Sequence, residues 1–120
     1  MRDSLAQGVA LERTYTVTED MAPAHLPVTV LSTPSMVQLI EATCLSAAQP
    51  HLDENEVTVG THICVSHSAA ALAGEEIRVA CLLRAVEKRR LTFDVRVTGS
   101  NGVISEGTHQ RAVVDARRFG

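Results

Sequence analysis

The stretch from Ser35 to Gln49 is the strongest constraint on how this chain folds. It contains no glycine or proline, and Pro50 stops it. Thr33-Pro34 ahead of it reads as a helix start, with a hydroxyl N-cap at Thr33 and proline at the first helical position. At about 100° per residue, the polar members Gln38, Glu41, Thr43 and Ser46 scatter around the helix instead of gathering on one face. A helix apolar nearly all round is a buried helix, and this one is shorter than the roughly 20 residues a bilayer span needs. The rest of the chain must therefore wrap around it.

The flanking segments have the patterns to do so. Val9, Leu11, Tyr15 and Val17 mostly alternate with Arg13, Thr14 and Thr16, which predicts a half-buried first strand. Residues 20–32 carry Pro23 and Pro27 around His25 with no period, and read as a loop or lid. After the helix, strands are expected over Val57–His67, Glu76–Val86, Leu91–Thr98 and Val103–Val114. Glu87–Arg90 joins the second pair, and Asn101-Gly102 signals a type I′ hairpin into the last strand. Strand, lid, helix and four strands predict an α+β fold, a five-stranded antiparallel sheet packed on one central helix. At 120 residues this is one domain, residues 1–120, with Arg117–Gly120 as a frayed end.

Composition removes several classes of function. Aromatics make up 2% of the chain and there is no Trp, so a stacking platform for single-stranded nucleic acid is lacking. A net charge of −3 is the wrong sign for a phosphate backbone, and no nucleic-acid partner is expected. Met1–Gly8 has no signal-peptide core and no segment approaches a membrane span, so the chain is expected in the cytoplasm, away from membranes. Cys44, Cys64 and Cys81 are odd in number and lack CxxC spacing; three small buried hydrophobes in a reducing compartment are expected. His62 and His67 fall on opposite strand faces, and with no HExxH spacing neither metal nor cofactor is expected.

A few residues fit these elements less comfortably. Glu41 has Val37, Cys44 and Leu45 as its helical neighbours, so it is either a working carboxylate or a half-exposed residue at a helix edge. His67, ending a strand on the face of Ile63 and Val65, is either a satisfied core histidine or a proton carrier. Gly60 marks a bulge that could aim a backbone N–H at an oxyanion, or a simple kink. Arg111 is an ion-pair partner at the core edge or a fixed cation near a site, and spacing leaves both open.

Four segments together carry a resemblance: Ser32–Val37, Leu39–Cys44, Val59–His67 and Glu106–Val113. In sequence and in spacing, over most of the chain, they closely resemble the fluoroacetyl-CoA thioesterase family of hot-dog proteins. The resemblance implies a hot-dog fold, acyl-CoA as the substrate, and a homodimer whose sheets join side by side with active sites at the subunit interface. It assigns catalysis to Thr33, Glu41 and His67, contact with the thioester oxygen to the Gly60 N–H, and support of the site to Arg111. Glu41 would be nucleophile or general base, His67 the proton shuttle, and Thr33 the group orienting the carboxylate. The phenylalanines that gate the acyl pocket in the fluoroacetyl enzyme have no counterpart here, because Ala24–Leu31 contains no aromatic residue and Ala24 and Pro27 stand in their places. A short- or medium-chain acyl-CoA thioesterase is therefore expected, the alternative being a hot-dog protein that binds acyl-CoA without turnover.

Overall fold

The computed structural model describes residues 1–119. In chain order it contains β1 (Ala10–Thr16), α1 (Thr33–Ala48), β2 (Glu56–Val65), β3 (Glu76–Glu87), β4 (Arg90–Gly99) and β5 (Gly102–Asp115). The strands form one sheet in the order β1-β3-β4-β5-β2, every neighbouring pair antiparallel. Alternation decides which side chains meet the helix. Ile77, Val79, Cys81 and Leu83 on β3 and Leu91, Phe93, Val95 and Val97 on β4 are buried. Met36, Ile40, Cys44, Ala47 and Ala48 of α1 are buried in the same cluster. Among the described residues, Phe93 is the one Phe or Tyr side chain fully buried in this aliphatic core. Each such side chain contributes roughly 1.5–3 kcal/mol when removed from water.

The sheet covers only part of the helix. Pro34, Gln38, Ala42, Leu45 and Gln49 are exposed, and their spacing makes them one stripe. The expectation of a helix wrapped on all sides therefore does not hold within one chain, because a single curved sheet reaches only one side of the cylinder. β2 adds to this uncovered surface. It is an edge strand, and Ile63 on its helix-facing side is 37% exposed.

Three local expectations are corrected. Ser100 and Asn101 both keep negative φ and Gly102 alone turns positive, at +117°, so the β4–β5 hairpin is not type I′. A type I′ turn needs positive φ at both central residues; here the register shift beside Val97 and Thr98 takes up the strand twist instead. Cys44 and Cys81 are buried, whereas Cys64 is exposed, since edge strand β2 leaves its outer face to solvent. The tail is not frayed over Ala116–Phe119, which forms a 3-10 turn where the Arg117 guanidinium binds Asp115; Gly120 lies outside the described residues. No helix among the described residues is long and apolar enough to cross a membrane.

The lid, residues 20–32, is tied down near both ends, the Ser32 N–H donating to the Met21 carbonyl at 2.8 Å. The Leu31 N–H donates to the Ala71 carbonyl at 2.9 Å and the Ala73 N–H to the Thr29 carbonyl at 3.0 Å, while Ala24–Val28 is exposed. Gly107 has a different reason to be glycine. A Cβ there would lie 2.0 Å from the Cys64 carbonyl oxygen, so β2 packs against β5 only because the side chain is missing.

Candidate active site

Chemistry-bearing side chains collect in two places along α1. At its start, Ser32 caps the helix by accepting a hydrogen bond from the Ser35 N–H at 3.2 Å. The N-cap expected at Thr33 thus falls one residue earlier, because proline is tolerated throughout the first turn, where N–H groups have no helical partner. Thr33 is left with a free hydroxyl, and its Oγ1 lies 2.7 Å from Nδ1 of His67. His67 lies just beyond the end of β2. The N–H groups of its neighbours Ser66 and Ser68 donate to Glu106 and Ile104 of β5, holding the histidine on the ladder. The pair opens on a cleft of about 500 Å³ walled by Pro23, His25, Leu26, Val30, Ala69 and Ala70.

Glu41 lies about two turns further along α1, roughly 12 Å in axial rise from Thr33. It is half-buried and forms no hydrogen bond among the described residues. Its surroundings are specific nonetheless. A Cβ placed on Gly60 would lie 3.4 Å from Glu41 Oε1, 3.5 Å from Arg111 Nη1 and 3.3 Å from His109 Cε1. Gly60 thus lets the β2 backbone approach a carboxylate, a guanidinium and an imidazole at once. The ladder shifts register between Gly60 and His62, so the glycine does mark a bulge.

Arg111 is 4% exposed and is held on three sides. Nε donates to Thr58 Oγ1 at 2.8 Å, Nη2 to the Thr58 carbonyl at 2.9 Å, and Nη1 to His109 Nε2 at 3.1 Å. Burial pulls the guanidinium below its usual range and the nearby Glu41 opposes this; an arginine stays charged all the same. The cation is therefore a fixed positive charge within the Glu41 group. Cys44 lies close by, but its hydrogen bond with Cys81 and its burial push the thiol up, so it is no nucleophile.

The structure sorts the five expected residues into two groups: Thr33 with His67, and Glu41 with Gly60 and Arg111. Thr33 was expected to orient the carboxylate, and within the chain it binds the imidazole instead. The sequence reading missed Thr58 and His109. Parity held the clue, since Thr58 shares a face with Gly60, and His109 with Arg111.

The family model described as fluoroacetyl-CoA-specific thioesterase matches residues 11–117. The fluoroacetyl-CoA thioesterase of Streptantibioticus cattleyicolor is 44% identical over 92 residues, covering 75% of this chain and 65% of that relative, just under two thirds of its length. A solved structure of fluoroacetyl-CoA thioesterase superposes with a TM-score of 0.92 at 33% identity, over 98% of this chain and 93% of the other. A Thermus thermophilus member of the thioesterase superfamily superposes with a TM-score of 0.88 at 23% identity, covering 99% and 90% of the two chains, and shares the hot-dog fold. With the family model matched from β1 to the end of the sheet, and the fold shared across nearly its whole length, this chain belongs to the fluoroacetyl-CoA-specific thioesterase family.

Proposed function

We propose that the protein is an acyl-CoA thioesterase acting on short- or medium-chain acyl groups, working in the cytoplasm as a homodimer. The observation that carries this reading is the Thr33–His67 pair at the mouth of an aliphatic cleft. Solved relatives were captured with acetyl-CoA and with fluoroacetate and CoA, which supports a thioester of CoA as the substrate.

Distance argues for a dimeric site. Thr33 and Glu41 are separated by roughly 12 Å along one helix, too far for one small carbonyl group to meet both. On α1 the stripe with Ala42 and Leu45 is exposed; α1 approaches β2 at Glu41 and Gly60, and β2 is an unpaired sheet edge with Ile63 exposed on its helix-facing side. An apolar stripe beside an unpaired strand edge favours a second copy of the chain. Pairing across that edge would set Glu41 of the partner subunit beside Thr33 and His67.

The reaction then divides as follows. Glu41, or a water it deprotonates, adds to the thioester carbonyl, and the Gly60 N–H holds the oxyanion. The C–S bond breaks, and His67 delivers a proton to the departing CoA sulfur while Thr33 keeps the imidazole in place. If the carboxylate attacks directly, water cleaves the resulting anhydride and restores Glu41. Arg111 holds a positive charge near the carboxylate throughout.

The lid favours chain lengths beyond acetyl. Pro23, His25, Leu26 and Val30 line the cleft, with no phenylalanine among the lining residues to fill it. Each added methylene should gain only about 1–3 kcal/mol of discrimination, so preference should change gradually along an acyl series. The test is a panel of fluoroacetyl-, acetyl-, propionyl- and hexanoyl-CoA with thiol release as readout. Propionyl- and hexanoyl-CoA should be hydrolysed at least as well as acetyl-CoA, with no large advantage for fluoroacetyl-CoA. A strong preference for the fluorinated substrate would refute the chain-length reading. A melting shift with CoA but no thiol release would make the protein a binder.

A further inference from the structure

His109 is buried in the sheet, with Ile63 of β2 and Phe93 of β4 as its cross-strand neighbours. Its Nδ1 lies 2.8 Å from the His62 carbonyl oxygen, a group that only accepts, so Nδ1 carries a proton. Its Nε2 lies 3.1 Å from Arg111 Nη1, a group that only donates, so Nε2 carries none. The two bonds fix a neutral imidazole in a single tautomer. The carbon between the two nitrogens, Cε1, faces Gly60.

The geometry points to His109 as a positioning residue that ties the Gly60–His62 bulge to the Arg111 guanidinium, and so sets the oxyanion donor and Glu41 relative to each other. One bond ends on the bulge itself, at the His62 carbonyl. The other ends on the cation nearest the carboxylate. An apolar side chain could fill the same volume, but it would leave the His62 carbonyl without this donor and Arg111 Nη1 without this acceptor. The titratable groups that face the ring are Arg111 on β5, Glu41 on α1 and His62 on β2. Burial first, and then the Arg111 charge, push the ring below the usual histidine range, while its bond to His62 and the Glu41 charge oppose them. Protonation would set an N–H of the ring against an N–H of Arg111 and break the link.

This inference rests on Glu41 and Gly60 being reacting groups, and two substitutions separate it from that reading. His109→Asn keeps an amide N–H near the Nδ1 position and loses the acceptor for Arg111. His109→Gln can offer a carbonyl near the Nε2 position and loses the donor to the bulge. Displacing a reacting group by about an ångström lowers turnover roughly 100-fold, so each variant should lose between about 10- and 100-fold in kcat. KM should stay within about threefold, measured on folded protein with the best-hydrolysed of acetyl-, propionyl- and hexanoyl-CoA. Nitrogen-15 spectra of the wild-type imidazoles supply a readout that needs no activity, and should show His109 protonated on Nδ1 alone. Two results would overturn the inference: both variants keeping kcat within twofold of wild type while Glu41→Gln is inactive, or a ring proton found on Nε2. If the wild-type protein hydrolyses none of the three thioesters, the thioesterase reading fails by itself, and with it the positioning role, whatever the tautomer. If neither variant folds, the tautomer decides.

Discussion

At the start of α1, Thr33 is exposed and its hydroxyl meets one partner, the His67 ring, at the edge of an open cleft. Two turns further on, Arg111 is bonded on three sides and His109 on two, and Gly60 is pressed against them. One group lies at an open cleft and has few bonds to hold it. The other is set in place before substrate arrives, which is what a charge or dipole must be to stabilise a developing oxyanion without reorganising. In the proposed mechanism, proton transfer is kept where solvent and thiol can reach it, and the fixed charge of Arg111 is buried in the sheet. The division also explains why neither group by itself forms a complete site.

The largest effect should come from splitting the two groups between subunits. Glu41→Gln should lower kcat by about 1,000-fold while the fold and the dimer persist, since a carboxylate that attacks or abstracts a proton is typically worth 10²- to 10⁴-fold. Mixing that variant with Thr33→Ala, after subunit exchange, should restore activity to roughly one quarter of wild type. Half of randomly paired dimers are mixed and each has one intact site if Glu41 serves the partner subunit. No recovery in proven mixed dimers would place the whole site within one chain. Near-wild-type turnover by Glu41→Gln would remove Glu41 from the mechanism.

A smaller contrast should appear in stability. Arg111→Met leaves Thr58 and His109 without their buried donor and should lower unfolding free energy by about 3 kcal/mol. His67→Ala, at the open end, should change stability by less than about 0.5 kcal/mol although it lowers turnover strongly. Urea melts of the two variants check this. Equal losses would mean that the two groups are held alike and that the contrast between them is mistaken.

The smallest effect is the pH dependence of stability. Burial holds the folded His109 below its unfolded value of about 6.5. As pH falls through that value the unfolded chain takes up a proton that the native ring refuses, so stability is lost on acidification and is present above it. The urea midpoint of wild type should fall between pH 7 and pH 5 more steeply than that of His109→Gln. Parallel slopes would mean that the ring titrates in the native state as it does in the unfolded chain, against a desolvated His109.

Local chemistry made much of this molecule legible. The helix from Thr33, stopped by Pro50, followed from capping and proline chemistry, and the five strands from alternation and turn residues. Gly60 pointed to a bulge or a kink, and the register shift beside it decided for the bulge. The four motif segments led to the family because their spacing as well as their residues matched. Errors arose where a neighbouring element decides. Ser32, not Thr33, caps the helix, and the Thr33 hydroxyl meets His67, a residue distant in sequence. The Asn101-Gly102 turn took its shape from the register of β4 on β5.

By itself the sequence determined the element order, an aliphatic core built around a helix, and the identity of the residues available for chemistry, because these depend on side-chain type and on periods of 2 and 3.6 along the chain. Only the tertiary structure decided which of those residues meet. Strand order put β2 at an edge beside β5, and that pairing brought Arg111, His109 and Thr58 around Gly60. It also left one stripe of the helix uncovered, something no periodicity in the helix could reveal, because exposure is a property of what packs against a surface and not of the surface alone.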